Sequence, residues 1–264
     1  MGTSSTAVIT GAASGMGAAC VEGARRLADV VVAVDLTAPD IAGTIGVACD
    51  VSDPAAIQAV ADRVGELGSF RALIHAAGIS PTMADARRIL EVDLVGTQLL
   101  LDAFEPLVES GSAAVCFASL AAHQVAPFVD ADQEAMLRAP LAPDFLERAT
   151  ALVGGDPGLA YGLAKVGVLR AVSRAAVRWG PRGGRVNSVS PGLIDTPMGR
   201  QELEQQPIMR GMLERTPLAR LGKPEEVAAI ALLLASETAS FVSGIDVLVD
   251  GGLVQANAAA DDAQ

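Results

Sequence analysis

Residues 7–17 read Ala-Val-Ile-Thr-Gly-Ala-Ala-Ser-Gly-Met-Gly, an apolar run that leads directly into a glycine-rich turn. The run Ala7–Thr10 predicts a buried strand, and Gly11, Gly15 and Gly17 predict a tight turn from that strand into a helix. Backbone N–H groups at the start of a helix bind phosphate, and glycine lets the main chain approach a ligand closely. The stretch therefore predicts a nucleotide-binding turn; the alternative is a turn whose small residues serve packing alone.

The rest of the chain alternates between short β-branched runs and longer alanine-rich stretches of helical period. This alternation is typical of a parallel sheet with helices on both faces. With 264 residues, 51% of them hydrophobic, the chain is long enough for one such domain. We therefore predict a single doubly wound α/β domain over residues 1–255 and a frayed tail over 256–264. The seven predicted strands are Ala7–Thr10, Val30–Asp35, Ile45–Cys49, Ala72–His75, Ala114–Phe117, Arg185–Val189 and Asp246–Val249.

An acidic residue ends the second predicted strand. Asp35 lies about 20 residues beyond the glycine turn, where a carboxylate accepts hydrogen bonds from the ribose hydroxyls of adenosine. Because the same carboxylate would repel a 2′-phosphate, NAD is favoured over NADP. Asp50 and Val51 follow the third strand and are expected to border the adenine. The pattern of a P-loop is absent, which argues against a nucleotide hydrolase of that class.

Tyr161 is the only tyrosine of the chain, and it precedes Lys165, one of two lysines, by four residues. Positions i and i+4 share one face of a helix, so the phenol and the ammonium are expected to point the same way. A nearby cation favours the phenolate and lowers the pKa of a tyrosine from its usual value of about 10. A half-buried tyrosine beside a surface lysine remains the alternative for this pair taken alone.

Composition excludes several function classes. Acidic residues number 31 against 19 basic ones, and a net charge of −12 argues against nucleic-acid binding. The three cysteines, Cys20, Cys49 and Cys116, lie far apart in apolar stretches, which predicts neither a metal site nor disulfides. Neither a secretory signal nor an apolar run long enough to span a bilayer is evident. We therefore expect a cytoplasmic protein without membrane partners.

Taken together in chain order, these features resemble the short-chain dehydrogenase/reductase family along essentially the whole sequence. The turn matches that of the compact members, T-G-x-x-x-G-x-G, at residues 10–17. Ser119 stands where the family keeps its substrate-binding serine, after the fifth strand. Residues 75–78, 187–192 with Thr196, and 250–252 match three further family segments. The resemblance implies a Rossmann-like fold.

The resemblance implies hydride transfer between the nicotinamide of NAD and a carbinol carbon. Tyr161 would take the alcohol proton or return it, Lys165 would lower the tyrosine pKa and bind the nicotinamide ribose, and Ser119 would hold the substrate oxygen. Asp93 falls where the family has an asparagine often counted as a fourth catalytic residue. The cofactor contacts implied are Gly11, Ser14, Gly15, Met16, Gly17, Asp35, Leu36, Asp50, Val51, Ala76, Ala77, Gly78, Tyr161, Lys165, Pro191, Gly192, Ile194 and Thr196.

Three departures from the family pattern stand out. His75 and Ala76 replace two asparagines, which predicts the loss of side-chain hydrogen bonds that support the central strand. Asp93, when ionised, has no donor and would work against ionisation of the phenol. Ser119 and Tyr161 are 42 positions apart, far more than usual, and the excess over residues 122–157 contains helical stretches at Asp132–Arg138 and Asp144–Val153.

The bacterial 3α-hydroxysteroid dehydrogenase/carbonyl reductase group has a similar insertion, associated there with altered subunit assembly, and coniferyl-alcohol dehydrogenases are similar too. We expect a homodimer or homotetramer. Residues 193–216 are expected to form the substrate wall, with Ile194, Met198, Met209 and Met212 either in an adaptable apolar lid or on an ordinary buried helix face. A hydrophobic secondary alcohol or ketone, such as a steroid, terpenoid or aryl alcohol, would fit such a wall.

A different function class remains open: an NAD-binding redox sensor or scaffold without turnover, which Asp93 and the altered segment at residues 75–78 would suit. The intact set of Ser119, Tyr161 and Lys165 favours an enzyme. We interpret His75 as a strand-end packing residue, His123 as a polar loop residue and Trp179 as a packing residue.

Overall fold

The computed structural model describes residues 4–261, and these form one seven-stranded parallel sheet in the order β3-β2-β1-β4-β5-β6-β7. The predicted fold class is thus confirmed. The third strand ends at Ala48 and not at Cys49, whereas the first, fourth and fifth begin earlier than predicted and the sixth runs on to Pro191. The strands are β1 Ser5–Thr10, β2 Val30–Asp35, β3 Ile45–Ala48, β4 Ser69–His75, β5 Ala113–Phe117, β6 Arg185–Pro191 and β7 Asp246–Val249.

Helices cover both faces of the sheet. They are α1 Gly15–Ala24, α2 Pro54–Leu67, α3 Ala86–Leu90, α4 Gly96–Phe104, α5 Leu120–Val125, α6 Ala131–Leu137, α7 Phe145–Leu152, α8 Pro157–Trp179, α9 Pro197–Gln205, α10 Pro207–Arg215, α11 Pro224–Ala235 and α12 Leu253–Asp261. A π-helical turn, Glu91–Val95, joins α3 to α4. Single 3₁₀ turns span Glu105–Leu107, Ala126–Phe128, Gly180–Arg182 and Glu237–Ala239. No helix among residues 4–261 is both long and apolar enough to cross a membrane.

The central strands are buried on both faces, as a parallel sheet between two helical layers requires. Every residue of β5 and of β6 is buried. The core on one face includes Phe70, Phe104 and Trp179, and the rings of Phe70 and Trp179 meet edge to face with centroids 6.0 Å apart. Trp179 is fully buried, so its interpretation as a packing residue is confirmed.

The strand order reverses beside β1, and this reversal positions the site. The chain builds outward from β1 to β3 and then crosses back to place β4 on the other side of β1. Loops leaving the carboxyl ends of β1 and β4 therefore turn in opposite directions, and a crevice opens between them. The glycine turn follows β1, and residues 76–78 follow β4, so both border that crevice.

The inserted segment, residues 122–157, is mostly helical, and its helices lie within one residue at each end of the predicted stretches. Leu137, Phe145 and Ala149 are buried in a common apolar cluster with Leu163 and other residues of α8. Glu134 of α6 accepts two hydrogen bonds from Nε of Arg170, at 3.0 and 2.8 Å. The insertion is therefore packed onto α8, the helix that carries Tyr161.

The tail differs from the prediction. Residues 256–261 were expected to be frayed, but they continue the helix α12, and residues 262–264 lie outside the described part of the chain. Leu253 is fully buried at the start of α12, and Asn257 accepts a hydrogen bond from Nε of Arg215 at 3.2 Å. These anchors explain why the alanine-rich tail stays helical.

Candidate active site

The turn after β1 has no room for side chains at two of its glycines. Gly11 has a φ of +67°, and a Cβ there would lie 2.8 Å from the backbone nitrogen of Ala77. A Cβ on Gly17 would lie 2.1 Å from the carbonyl oxygen of Gly11. Ser14 precedes α1 without a capping hydrogen bond from its side chain, which leaves N–H groups of the first turn available to a ligand. The turn thus has the close-packed form that a phosphate-binding loop needs.

The turn opens onto a cleft of about 500 Å³. Thirteen of the predicted cofactor contacts line it, namely Gly11, Ser14, Gly15, Met16, Gly17, Asp35, Leu36, Asp50, Val51, Ala76, Ala77, Gly78 and Thr196. A volume of this size suits a dinucleotide or drug-sized ligand.

Five predicted contacts do not line this cleft: Tyr161, Lys165, Pro191, Gly192 and Ile194. Lys165 lies behind Gly78, since a Cβ on Gly78 would stand 3.4 Å from its Nζ. Ile194 is 6% exposed because it packs into the core beside β6. Gly192 is backed by the main chain of Asp250, 2.6 Å from where a Cβ would lie.

Sequence reasoning missed several lining residues. Val34 is the next-to-last residue of the second predicted strand and Cys49 ends the third, so both were detectable from that position, whereas Arg88 carries no motif. Met198, predicted for the substrate wall, also lines this cleft. The lining residues not predicted as cofactor contacts are Val34, Cys49, Ile79, Met83, Ala84, Arg88, Val92, Pro197, Met198 and Gln201.

Two carboxylates at the ends of β2 and β3 are held in fixed orientations. Asp35 accepts hydrogen bonds from the backbone nitrogens of Ala13 at 3.0 Å and Leu36 at 2.8 Å. Asp50 accepts hydrogen bonds from the backbone nitrogen and the hydroxyl of Ser52. Its Oδ2 also forms an ion pair with Nη2 of Arg88 at 2.7 Å. Burial acts to raise the pKa of Asp50, but the bonds from Ser52 and Arg88 outweigh it and hold that pKa below its usual value. Both groups are therefore positioned as acceptors.

Ser119, Tyr161 and Lys165 come together beside the cleft as predicted. Lys165 lies one turn after Tyr161 on α8, with its Nζ 5.4 Å from the centroid of the tyrosine ring. It is 5% exposed and donates a hydrogen bond to the carbonyl oxygen of Phe117 at 3.3 Å. Ser119 caps α5 by accepting from the nitrogen of Ala121 at 3.2 Å. Its hydroxyl also favours the ionised phenol of Tyr161, which lowers the tyrosine pKa.

Asp93 is fully buried beside Lys165, in the π-helical turn. Its Oδ2 forms an ion pair with Nζ of Lys165 at 3.3 Å, and its Oδ1 accepts a hydrogen bond from the nitrogen of Ile79 at 2.9 Å. Burial raises the pKa of Asp93, although the charge of Lys165 acts against that shift. Burial lowers the pKa of Lys165, but the negative charges of Asp93 and Tyr161 together with the contact to Asp93 outweigh burial and raise that pKa above its usual value.

The phenol of Tyr161 is harder to ionise than an ordinary tyrosine. Burial raises its pKa and Asp93 raises it further, whereas Lys165 and Ser119 lower it by less. Lys165 thus acts in the predicted direction, as does Asp93, but the net pKa lies above its usual value. No group of three or more His, Cys, Asp or Glu side chains in residues 4–261 is arranged to hold a metal ion.

Comparison with known proteins agrees with this geometry. Residues 11–136 and 146–254 match the family described as Enoyl-(Acyl carrier protein) reductase, and relatives described as short-chain dehydrogenases or reductases span nearly the whole chain. The chain belongs to the short-chain dehydrogenase/reductase family. Its members are oxidoreductases, and the relatives with named activities include a D-threitol dehydrogenase and a cis-4-hydroxycyclohexanecarboxylate dehydrogenase, which act on alcohols.

Three relatives of this short-chain dehydrogenase/reductase illustrate the range. It is 31% identical to the D-threitol dehydrogenase of Mycolicibacterium smegmatis, over 93% of this chain and 91% of that protein. It is 33% identical to an uncharacterized short-chain type dehydrogenase/reductase of Sinorhizobium fredii, covering 95% of this chain but only 44% of the longer relative. The crystal structure of 3-alpha-hydroxysteroid dehydrogenase from Pseudomonas sp. B-0831, complexed with NADH, superposes with a TM-score of 0.78 at 32% identity, over 94% of this chain and 96% of that one.

His75 shows how this member of the family compensates for its missing asparagines. The prediction that the central strand loses side-chain hydrogen bonds is wrong, because His75 bonds the hydroxyls of Thr10 at 2.8 Å and Thr97 at 3.0 Å. Burial lowers the pKa of His75 to about 3, so the ring is neutral. Thr97 already donates to the carbonyl oxygen of Asp93, so Nε2–H of His75 donates to Thr97 and Nδ1 accepts from Thr10. The imidazole does more than pack at the strand end.

The second histidine also differs from its interpretation. His123 lies in the helix α5 and not in a loop, and its Nε2 is 2.8 Å from Oδ2 of Asp246. Asp246 in turn accepts a hydrogen bond from Ser188 at 2.6 Å. His123 therefore links the start of the insertion to β6 and β7.

The predicted substrate wall, residues 193–216, forms helices α9 and α10 in this dehydrogenase/reductase. Met212 is 8% exposed and packs with Leu120 and Leu253, which agrees with a buried helix face. A carboxylate that the sequence did not predict as a site residue, Glu202, approaches Ser80 and Tyr161. Burial raises the pKa of Glu202, although the nearby hydroxyl of Ser80 opposes the shift. The wall is therefore less uniformly apolar than expected.

Proposed function

We propose that this protein is an NAD-dependent oxidoreductase that interconverts a hydrophobic secondary alcohol and its carbonyl, with Tyr161 as the general acid and base. One observation carries the proposal: Ser119 and Lys165 both act on the phenol of Tyr161 next to a cleft bordered by a glycine turn. A redox sensor without turnover has no chemical use for that convergence.

Each of these side chains has a role in the proposed reaction. Ser119 would hold the substrate oxygen and stabilise the charge that develops on it. Tyr161 would donate its proton to that oxygen in reduction and accept it in oxidation. Lys165 would favour the phenolate, and Asp93 would fix the position of Lys165 while opposing part of its electrostatic effect.

The residues present fit a dinucleotide, which supplies the hydride acceptor or donor when bound. Gly11 and Gly17 leave a cradle that a Cβ would fill, and the first turn of α1 would receive the pyrophosphate. The carboxylate of Asp35 at the end of β2 supports NAD over NADP, since it would accept from ribose hydroxyls and repel a 2′-phosphate. Arg88 is the sole Lys or Arg side chain on the cleft wall among the described residues, and it is paired with acids.

The proposed substrate is a steroid-, terpenoid- or aryl-alcohol-like molecule. Support comes from the apolar residues of the segment 193–216 and from the similarity to a protein named as a 3-alpha-hydroxysteroid dehydrogenase. Polyols belong in the substrate panel as well, because the chain is similar to a D-threitol dehydrogenase and because Glu202 adds a carboxylate to the segment 193–216. We further propose that the protein works as a homodimer or homotetramer in the cytoplasm.

A substrate screen tests the function. The purified protein is incubated with NAD and a panel of secondary alcohols, and with NADH and the matching ketones, and absorbance at the NADH band is followed. We expect turnover with hydrophobic members of the panel and slower turnover with small polyols. NADH binding without turnover on any alcohol or ketone would contradict the enzyme and favour the sensor or scaffold.

A further inference from the structure

Arg88 lies on the wall of the cleft at its adenosine end, in a position that no sequence motif indicates. It comes from α3, and it lies beside Asp50 and Val51, which follow β3. The neighbouring strand β2 ends at Asp35, the proposed ribose contact. Arg88 is therefore placed beyond the ribose, on the side where the base of a bound dinucleotide would lie.

The guanidinium of Arg88 is held by three hydrogen bonds. Its Nη1 donates to Oγ of Ser52 at 2.6 Å and to Oε2 of Glu91 at 2.8 Å, and its Nη2 donates to Oδ2 of Asp50 at 2.7 Å. Two carboxylates thus face one cation, so the cluster as a whole is not positive. Because its charge is already neutralised by Asp50 and Glu91, the guanidinium would bind a phosphate weakly. It still presents a planar group that is held in a fixed orientation.

The wall around this flat group is otherwise apolar. Val51 and Val92 are buried, and Met83 and Ala84 complete this part of the cleft. A guanidinium packs well on the face of an aromatic ring, both through its planar shape and through its charge. A purine base is a flat aromatic ring that fits a slot of this kind.

We propose that Arg88 is an adenine-binding residue of this protein, with its guanidinium, fixed by Asp50 and Glu91, packed against the adenine ring. This inference rests on the proposed dinucleotide function and adds a residue that determines affinity for the base. Arg88 takes no part in hydride or proton transfer.

Binding of dinucleotide fragments tests the proposal without catalysis. Dissociation constants for ADP-ribose are measured by calorimetry for the wild type, Arg88→Leu, Arg88→Lys and Arg87→Leu. Arg87 is the matched control, because it lies in the same helix but is exposed and does not line the cleft. Binding of nicotinamide mononucleotide, which lacks adenine, is followed by ligand-detected NMR, and melting temperatures show whether each variant is folded.

We expect Arg88→Leu to weaken ADP-ribose binding on the order of tenfold, as the loss of a desolvated cation–π contact implies. Arg88→Lys keeps the charge but lacks the planar group, so it should lose nearly as much. Arg87→Leu should bind both ligands like the wild type, and Arg88→Leu should bind nicotinamide mononucleotide like the wild type.

Several results would overturn the role of Arg88. One is unchanged ADP-ribose binding in Arg88→Leu, and another is an equal loss of affinity for ADP-ribose and for nicotinamide mononucleotide in that variant. A third is ADP-ribose binding by Arg88→Lys as tight as that of the wild type, which would indicate a structural ion pair. A larger loss for 2′-phospho-ADP-ribose than for ADP-ribose would assign Arg88 to a phosphate instead. A wild-type protein that binds no ADP-ribose would refute the dinucleotide function itself, and the role of Arg88 with it.

Discussion

Oδ2 of Asp93 lies 3.3 Å from Nζ of Lys165, and both side chains are almost completely buried. The family pattern places a neutral asparagine at this position, so Asp93 gives the site an additional negative charge. That charge raises the pKa of the Tyr161 phenol, which Lys165 alone would lower. The acid and the lysine therefore act on the phenol in opposite directions.

Asp93→Asn should keep or raise activity near neutral pH. Oxidation requires phenolate, so its rate rises as the pH passes through the pKa of Tyr161, and removing the carboxylate lowers that pKa. The pH–rate profile for alcohol oxidation should shift to lower pH in the variant. A large loss of activity at every pH would show that the carboxylate has a role of its own.

Asp93→Ala should destabilise the fold more than Asp93→Asn does. Both variants lose the buried ion pair with Lys165, which costs about 3–5 kcal/mol, but only alanine also leaves the backbone N–H of Ile79 without an acceptor. Urea unfolding of both variants measures the difference. Equal stability of the two would mean that the asparagine does not replace the acceptor for Ile79.

Tyr161→Phe should abolish most turnover and leave NADH binding nearly unchanged. The phenol supplies general acid and base catalysis, worth on the order of 10²–10⁴ in rate, whereas the ring itself is preserved. Turnover with the best substrate of the screen and NADH fluorescence titration measure the two effects. If the variant retains more than a tenth of the wild-type rate, Tyr161 is not the proton donor.

Asp35 should discriminate against NADPH. The wild type is expected to bind NADH more tightly than NADPH, and Asp35→Asn should narrow the gap because the repulsion of a 2′-phosphate is removed. Fluorescence titrations with both cofactors give the ratio, and Asp40→Asn, which changes an exposed acid further along the chain, is the control. Equal affinity of the wild type for the two cofactors would contradict the role of Asp35.

His75 should make the protein acid-sensitive below its unfolded-state pKa. The folded pKa is about 3, against 6.5 for the free group, so the unfolded chain takes up the proton first and stability falls as the pH drops below 6.5. Between pH 6.5 and pH 5 this contributes about 2 kcal/mol. Urea unfolding at both pH values should show a smaller loss for His75→Gln than for the wild type; equal losses would argue against a buried neutral imidazole.

The sequence predicted the parts of the site that follow strand ends. Gly11, Asp35 and Ser119 each stand just after or at the end of a strand whose pattern was visible, and parallel strands bring such ends to one edge of a sheet. Tyr161 and Lys165 were predictable because helical spacing fixes their common face.

The remaining features depend on contacts between distant segments. Arg88 reaches Ser52 and Asp50, 36 and 38 positions away, and His75 reaches Thr10 across 65 positions. Composition made the tail after residue 255 look frayed, whereas the burial of Leu253 and the bond from Arg215 to Asn257 keep it helical. Neither kind of contact leaves a periodic pattern in the chain.

The insertion begins just after Ser119 and ends just before Tyr161, and the tyrosine ring packs against its apolar cluster together with Val125 and Leu146. A local opening of α6 and α7 would therefore remove a supporting surface from the proton donor and break the link between Glu134 and Arg170. The free energy that keeps α6 and α7 folded thus also keeps Tyr161 in position. Such a segment opens as one cooperative unit, of the kind that native-state hydrogen exchange detects. Substitutions on the insertion would then change the fraction of molecules that are competent to react.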